Sequence, residues 1–397
     1  SNIVGTFVTG ATDTGSVSIN AIGTTNVQTV SGTANGSNNW TFGPSGNTAT
    51  FAIATRSDGT NADTASAKLD VGVYGLSPGT VTYDGGPIAN GVEVVGSVTV
   101  SPRTVTLTGT KVYDGDDTIQ VTVGNLVSGE SLDQSGVVLS SADAGDRYVS
   151  AIALADSGGF KASNYELPDL TAFADGSNDI TITRRPLSLS AARVYDGTTD
   201  VADVVALGAI TANADSGLVT GETLTVTAAT ASAAHVASSD KYIASITLSD
   251  ASGSVANYSL QGNDLTAGAA LTSGLSFGAG VNTVTLTPRT LTVSLSNTGV
   301  EKVYDGNSNA TVSAGNSANT AFTPSFVVNN LATGDSTPTF TYVGRYEDGS
   351  GNASSSVTGT TRLALNSLAL DAIGSGSGQT TDYSIPSSVT VAASITP

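Results

Sequence analysis

The chain has 397 residues, 39% of them hydrophobic, and its 33 acidic and 14 basic residues give a formal net charge of −19. So few Lys and Arg residues exclude an extended basic patch, and with it a surface for nucleic acid or anionic membranes. The absence of Cys excludes thiol catalysis and thiolate metal sites. The hydrophobic content favours folding, and the length corresponds to about three to four domains.

The first residue and the overall residue choice indicate what kind of chain this is. No Met is present, so Ser1 is not a translational start, and we expect a processed product or an excised fragment. No apolar run reaches the length of a membrane span. The abundance of Gly, Ser, Thr and Val is typical of short strands joined by turns.

Residues 1–101 differ from the rest of the chain. Alternating or β-branched stretches predict strands at 48–55, 67–74 and 92–100. The segment lacks the sequence blocks that recur later, and its Tyr83-Asp84-Gly85 stands where the later units carry an Asn-Tyr pair. We therefore predict a divergent or incomplete β-domain.

Four sequence elements then recur three times in the same order. Each unit opens with a Thr-rich block around Pro102, Pro186 or Pro288, and a Val-Tyr-Asp-Gly motif follows. A Gly-Glu or Gly-Asp turn comes next, and an Asn-Tyr or Asp-Tyr pair comes near the end. The copies of the last three elements are Val112–Gly115, Val194–Gly197 and Val303–Gly306; Leu126–Glu130, Leu218–Glu222 and Leu331–Asp335; and Asn164-Tyr165, Asn257-Tyr258 and Asp382-Tyr383. Such order indicates internal repeats.

The repeats predict a domain at 102–184, a second at 185–287 and a third, with insertions, at 288–397. Their apolar residues alternate with Thr and Ser, which is the period of a strand with one buried face. We expect an all-β chain of tandem immunoglobulin-like β-sandwich repeats in an elongated array, since the linkers are short. The Leu pairs within 362–373 predict two short strands rather than one helix.

On these motifs the chain resembles the YDG and MBG repeat families of large bacterial surface exoproteins, often filamentous-haemagglutinin-like adhesins. The resemblance covers about residues 102–397 and lies in the Lys/Arg-Val-Tyr-Asp-Gly, Gly-Glu/Asp and Asn/Asp-Tyr elements. It implies a secreted protein at the bacterial surface, in which such repeats form stalks. No catalytic residues are implied.

The Tyr-Asp-Gly motif has a structural and a chemical interpretation. In the structural one, each Gly supplies a positive φ, the Asp caps the turn, and Tyr113, Tyr195 and Tyr304 plug the end of their own domain. In the chemical one, carboxylates crowd beside a domain junction and bind Ca²⁺. The candidate ligands are Asp114, Asp116, Asp117, Asp196 and Asp200.

The sequence gives little support for other catalytic sites. His235 is the only His, and its Ala- and Ser-rich surroundings favour a surface or loop residue. Paired carboxylates for glycoside hydrolysis normally need aromatic platforms, yet aromatic residues make up only 6% of the chain. Lys111 and Lys302 precede the first and last Val-Tyr-Asp-Gly motifs, but Arg193 precedes the middle one, so a Lys–Asn cross-link is disfavoured. We expect no enzyme.

Three functions stay open. The first is a structural stalk segment of a secreted bacterial adhesin or exoprotein. The second is a self-assembling extracellular filament or surface-layer subunit, in which identical chains share strands and residues 1–101 receive a donated one. The third is a carbohydrate-binding module for host or matrix glycans, with its site in 1–101 or 335–360. The expected partners are neighbouring repeats, identical chains or glycans, not nucleic acid.

Overall fold

A computed structural model describes residues 2–8, 14–19, 28–34, 39–42, 49–56, 70–83, 86–87, 95–310 and 322–397. Over these residues the regular elements are strands and four 3₁₀ helices of three residues each. The prediction of an all-β chain is confirmed. This part of the chain contains no helix long and apolar enough to cross a membrane.

The chain divides into two compact units, Ser1–Thr183 and Arg184–Pro397. The first unit holds residues 1–101 together with the first repeat, and the second unit holds the second and third repeats. The division between them falls one residue before the predicted boundary between the first and second repeats.

The described strands within residues 1–101 form one sheet. Its strands are β1 (Asn2–Val8), β2 (Thr14–Ile19), β3 (Gln28–Ala34), β4 (Asn39–Phe42), β5 (Ala49–Arg56), β6 (Gly72–Tyr83), β7 (Gly86–Pro87) and β8 (Val95–Ser101). Strand β1 pairs in parallel with β8, and β6 pairs antiparallel with both β5 and β8. Three of these strands overlap the predicted ones. Residues 48, 67–69 and 92–94 of the predicted strands, and Asp84 and Gly85, lie outside the described residues.

The first repeat contains eight strands. They are β9 (Arg103–Thr104), β10 (Thr106–Val112), β11 (Thr122–Gly124), β12 (Leu132–Leu139), β13 (Gly145–Arg147), β14 (Val149–Asp156), β15 (Tyr165–Glu166) and β16 (Asn178–Thr183), with a 3₁₀ helix at Ala162–Asn164. Strand β10 pairs antiparallel with β11 and in parallel with β16, while β12 and β14 form a hairpin. The side chains of Leu107, Ile180 and Ile182 are buried.

The second repeat follows the same plan. Its strands are β17 (Arg185–Val194), β18 (Val205–Gly208), β19 (Leu224–Ala231), β20 (Ile243–Asp250), β21 (Tyr258–Leu260), β22 (Asn263–Asp264), β23 (Ala270–Leu271) and β24 (Asn282–Thr287), with 3₁₀ helices at Ala202–Val204 and Val255–Asn257. Strand β17 pairs antiparallel with β18 and in parallel with β24, and β19 and β20 form the hairpin.

The third repeat has longer hairpin strands. Its strands are β25 (Arg289–Thr290), β26 (Thr292–Leu295), β27 (Val300–Val303), β28 (Phe326–Asn329), β29 (Ser336–Glu347), β30 (Arg362–Ser375), β31 (Tyr383–Ser384) and β32 (Ser388–Thr396), with a 3₁₀ helix at Thr380–Asp382. The two strands predicted within 362–373 are one strand, β30. A register shift against β29 and a positive φ of 54° at Ser367 separate its two Leu pairs, which explains the interrupted alternation.

In every repeat an early strand (β10, β17 or β27), called its first strand below, pairs in parallel with the last strand (β16, β24 or β32). This pairing gives every repeat two distinct ends. The end of the first strand lies beside the end of the last strand, where the chain leaves the repeat; we call this the exit end. The opposite end, where the chain enters, we call the entry end. There the start of the repeat pairs in parallel with the short strands β15, β21 and β31, which begin at Tyr165, Tyr258 and Tyr383.

Two buried Asn side chains join the last strand to the hairpin. In the first repeat, Asn178 Oδ1 accepts the Val149 N–H at 2.8 Å, and its Nδ2 donates to the Val149 carbonyl at 3.0 Å. In the second repeat, Asn282 makes the same two bonds to Ile243, at 2.9 and 3.1 Å. Each amide thus bonds both backbone groups of a buried residue near the start of a hairpin strand.

Candidate functional site

The Tyr-Asp-Gly turns lie at the exit ends. The backbone N–H groups of Tyr113, Tyr195 and Tyr304 donate to the carbonyl oxygens of Thr183, Thr287 and Thr396 at 2.9, 2.9 and 2.8 Å. Each motif is therefore fixed to the last residues of its own repeat. Because the last strand of the repeat ends there, the Tyr side chain stands at the boundary of its repeat and not in the middle of it.

The turn geometry agrees with the structural interpretation of the motif. Gly115, Gly197 and Gly306 have φ values of 80°, 87° and 78°, a region that costs other residues energy. The preceding Asp side chain accepts the N–H two residues further on, at 3.0 Å for Asp114 and at 2.9 Å for Asp196. The prediction that Gly supplies a positive φ and Asp caps the turn is confirmed.

A basic side chain fills the centre of each turn. Lys111 Nζ donates to the carbonyls of Asp116 and Thr118 at 2.8 and 2.9 Å, and it lies 2.6 Å from Asp114 Oδ1. In the second repeat, Arg193 Nη1 takes this place, 2.7 Å from Asp196 Oδ2. The loop oxygens therefore converge on a positive charge that the chain itself supplies.

This arrangement bears on the predicted calcium ligands. Asp114 and Asp196 pair with those basic side chains, Asp116 Oδ1 accepts the Thr118 N–H, and Asp200 Oδ1 accepts the Ala202 N–H at 3.1 Å. Hydrogen bonds from Thr118 hold the pKa of Asp116 below its usual value.

Asp117 follows Asp116 in the same turn as the fifth candidate ligand. Within the described ranges, no group of three or more His, Asp or Glu side chains is placed to hold a metal ion. Calcium binding stays a prediction.

The entry ends carry a tyrosine and an acid that face each other. The Tyr165 hydroxyl donates to Glu130 Oε2 at 2.6 Å and accepts the Val127 N–H at 3.0 Å. The second repeat pairs Tyr258 with Glu222 at 2.5 Å. Burial, followed by the hydrogen bond to the acid, raises the pKa of Tyr165 and Tyr258 to about 12.

In the third repeat, the entry end holds the Tyr-Asp-Gly tyrosine of the second repeat. Tyr383 donates to Asp335 Oδ2 at 2.5 Å, and the Tyr195 hydroxyl reaches the same oxygen at 3.2 Å. The Tyr195 ring meets the Tyr383 ring edge-on with centroids 5.4 Å apart. Tyr195 belongs to the hydrophobic core of the third repeat, together with Leu291 and Tyr346.

A second contact joins the same two repeats through Asp382, which is fully buried. Its Oδ1 accepts the backbone N–H of Val236 at 2.7 Å, and its Oδ2 lies 2.8 Å from Nδ1 of His235. The His235 ring stacks near Tyr195 at a centroid distance of 6.3 Å. We call Tyr195, His235 and Val236 with Asp335, Asp382 and Tyr383 the joint.

A related contact occurs at the entry end of the first repeat. Asn164, which occupies the position of Asp382 before the Tyr, accepts the Val71 N–H through Oδ1 at 2.8 Å. Its Nδ2 donates to Asp70 Oδ1 at 2.8 Å, and Lys161 also pairs with Asp70. Residues 70–71 thus contact Asn164 as His235 and Val236 contact Asp382. The same position accepts a backbone N–H from the preceding part of the chain at both places.

Two sequence-based expectations need correction here. Tyr195 was expected to plug its own domain, but its ring packs into the next repeat, because the parallel first strand delivers it to the exit end. His235 is indeed in a loop, but its ring is half-buried and bonded to Asp382 rather than free at the surface. Sequence reasoning also missed Asp382, although its place in the Asn/Asp-Tyr element was a usable signal.

The joint is thus a set of polar and aromatic contacts between the second and third repeats. The chain matches no family model, no curated protein and no solved structure.

Proposed function

We propose that the chain is a structural, non-catalytic stalk segment of a secreted bacterial adhesin or exoprotein, built from YDG/MBG-type, immunoglobulin-like β-sandwich repeats in an elongated array. The observation that supports this most directly is the joint, in which the Tyr195 side chain of one repeat is part of the core of the next. Its ring is 1% exposed. Repeats that share a core residue cannot swing freely, and a stalk needs fixed angles between its modules.

The chemistry of the joint supports a structural role as well. The acids Asp335 and Asp382 are buried, and both have hydrogen-bond donors: two tyrosine hydroxyls on Asp335, and His235 and backbone N–H groups on Asp382. A carboxylate with satisfied partners stabilises a contact, whereas a catalytic acid must face a substrate.

The filament alternative receives less support. It depended on residues 1–101 lacking an opening strand that a neighbouring chain would donate. Strand β1 pairs with β8 over seven residues, in the parallel arrangement that the first and last strands of every repeat adopt. This pairing supports the stalk over the filament, because β1 of the same chain already pairs with the last strand of the segment.

The carbohydrate-binding alternative can be compared with the described residues of 335–360. Apart from Asp335 of the joint, this segment contains the buried acid Glu347. Its carboxylate accepts hydrogen bonds from Arg345, Arg362 and Asn366 at 2.7, 3.1 and 3.1 Å. These groups form hydrogen bonds with one another. They therefore stabilise the hairpin of β29 and β30 and do not support the binding of a sugar hydroxyl.

Small-angle X-ray scattering on the purified chain tests the proposal. A compact globule of this length would have a radius of gyration of about 21 Å. The stalk predicts a value well above that, unchanged by concentration, and growth with concentration would instead favour the filament. A compact value would refute the elongated array. A glycan array run in parallel should be blank, and specific glycan binding would favour the third function.

A further inference from the structure

The exit end of the third repeat carries a Tyr-Asp-Gly turn that is built like the turn of Tyr195 in the joint. Tyr304 follows the parallel pairing of β27 with β32, as Tyr195 follows that of β17 with β24. Asp305 Oδ1 accepts the Asn307 N–H at 3.1 Å, and the buried Lys302 Nζ lies 2.7 Å from Asp305 Oδ1. The backbone that presents Tyr304 is therefore fixed in the same way.

The environments of the two tyrosines nevertheless differ sharply. The Tyr304 side chain is 54% exposed, whereas Tyr195 is 1% exposed. An aromatic ring on a rigid turn loses little conformational entropy when it is buried by a partner, so it is suited to be an anchor.

The joint shows which partner chemistry fits such a ring. The Tyr195 ring lodges against Tyr383, its hydroxyl reaches Asp335, and the turn glycine Gly197 approaches the Ala332 side chain, 3.6 Å from an ideal Cβ. A partner for Tyr304 must offer the same features: an acid on a glycine turn, a tyrosine that donates to it, and an apolar residue beside them. These are the features of an entry end.

We propose that the exit end at Tyr304 binds the entry end of a further repeat of this kind, carried next on the same polypeptide, with Tyr304 lodged beside its acid–tyrosine pair. This rests on the proposed stalk function. A second copy of the chain fits less well, because its entry end at Tyr383 already holds its own Tyr195, and its entry end at Asn164 already contacts its residues 70–71.

An extended chain tests the proposal. A second copy of residues 289–397 that carries Tyr304→Phe is appended directly after Pro397, which aligns with Pro288 at the preceding junction, so the only Tyr304 of the extended chain is the original one. Nitration by tetranitromethane, mapped by peptide mass spectrometry, then reports the exposure of Tyr304. In the original chain Tyr304 should react readily. In the extended chain we expect its rate to fall by at least about tenfold, as expected for a group that reacts only when the contact opens.

The matched control is Asp335→Ala in the appended copy alone, which leaves the original Asp335 and the joint intact. It should restore much of the Tyr304 reactivity. An appended copy that does not order, or one that leaves Tyr304 as reactive as before, overturns the proposal. Protection of Tyr304 in the original chain that grows with protein concentration would also overturn it, since the occupant would then be a second copy.

The two proposals can fail separately. The scattering experiment concerns the chain as it stands, and the extended chain concerns only the added contact. An elongated chain with an unprotected Tyr304 would support the stalk and refute the docking of a further repeat. A compact chain with a protected Tyr304 would refute the stalk and support the docking.

Discussion

Replacing Tyr195 by Ala should destabilise the third repeat, not only the second repeat to which Tyr195 belongs in sequence. The ring is buried in a core that includes Leu291, Tyr346 and Tyr383. Removing a buried aromatic side chain costs about 3 kcal/mol or more, because it removes apolar contacts and leaves a cavity. Tyr195→Phe keeps the ring and loses only the hydroxyl bond to Asp335, which is long at 3.2 Å, so we expect a cost of about 1 kcal/mol.

Hydrogen exchange with mass spectrometry on the full chain is the suitable assay, because it resolves stability segment by segment. In Tyr195→Ala, peptides from 288–397 that contain β30 and β32 should exchange faster, by a factor of about 100 for 3 kcal/mol. Peptides from residues 102–183 should not change. Urea unfolding followed by circular dichroism would give the accompanying shift in midpoint.

Tyr304→Ala is the matched control, since it makes the same chemical change in the same turn at an exposed position. It should alter stability by no more than about 0.5 kcal/mol. If Tyr195→Ala and Tyr304→Ala had equal effects, the joint would contribute nothing measurable. If the loss in Tyr195→Ala were confined to peptides of 185–287, the tyrosine would stabilise its own repeat, and the argument would be wrong.

Three further predictions concern pH, calcium and the turn. Burial, with the nearby acids, raises the pKa of Tyr195 to about 12. The contribution of Tyr195 to stability is therefore complete below pH 10 and is lost as the pH rises toward 12. Over that range the urea midpoint of Tyr195→Phe should fall less steeply with pH than the midpoint of the wild type. Millimolar calcium should raise the melting temperature of the wild type more than that of an Asp116→Ala, Asp117→Ala double variant, and identical melting in chelator and in calcium would exclude the site. Lys302→Ala should lower the free energy of unfolding by about 3 kcal/mol, because the turn oxygens around Lys302 lose their donor. Lys302→Arg should lower it much less, because Arg193 fills the corresponding place in the second repeat. Equal losses of stability in the two variants would contradict this prediction.

The sequence predicted the elements that depend on local chemistry. The period of two identified the strands, and the Gly and Asp of each Tyr-Asp-Gly motif were correctly assigned to a capped turn with a positive φ. These features follow from neighbouring residues alone.

The joint could not be predicted in the same way. An alternating pattern shows which face of a strand is buried, but it does not show that the first strand runs parallel to the last. That direction alone carries Tyr195 away from its own core. The contact between His235 and Asp382 was missed because the two residues lie 147 positions apart in the sequence. The shift at Ser367 was also missed, because a bulge depends on the register of the opposite strand.

The parallel pairing of the first and last strands also determines how a repeat responds to pulling. The chain enters at the start of one strand and leaves at the end of its parallel neighbour, so tension along the chain slides the two strands past each other. All the hydrogen bonds between them are then loaded together, in shear, instead of opening one by one. Six residue pairs share that load in the first and second repeats, but only four, Val300–Val303 against Ala393–Thr396, share it in the third. Under tension the third repeat should be the first of the three to yield.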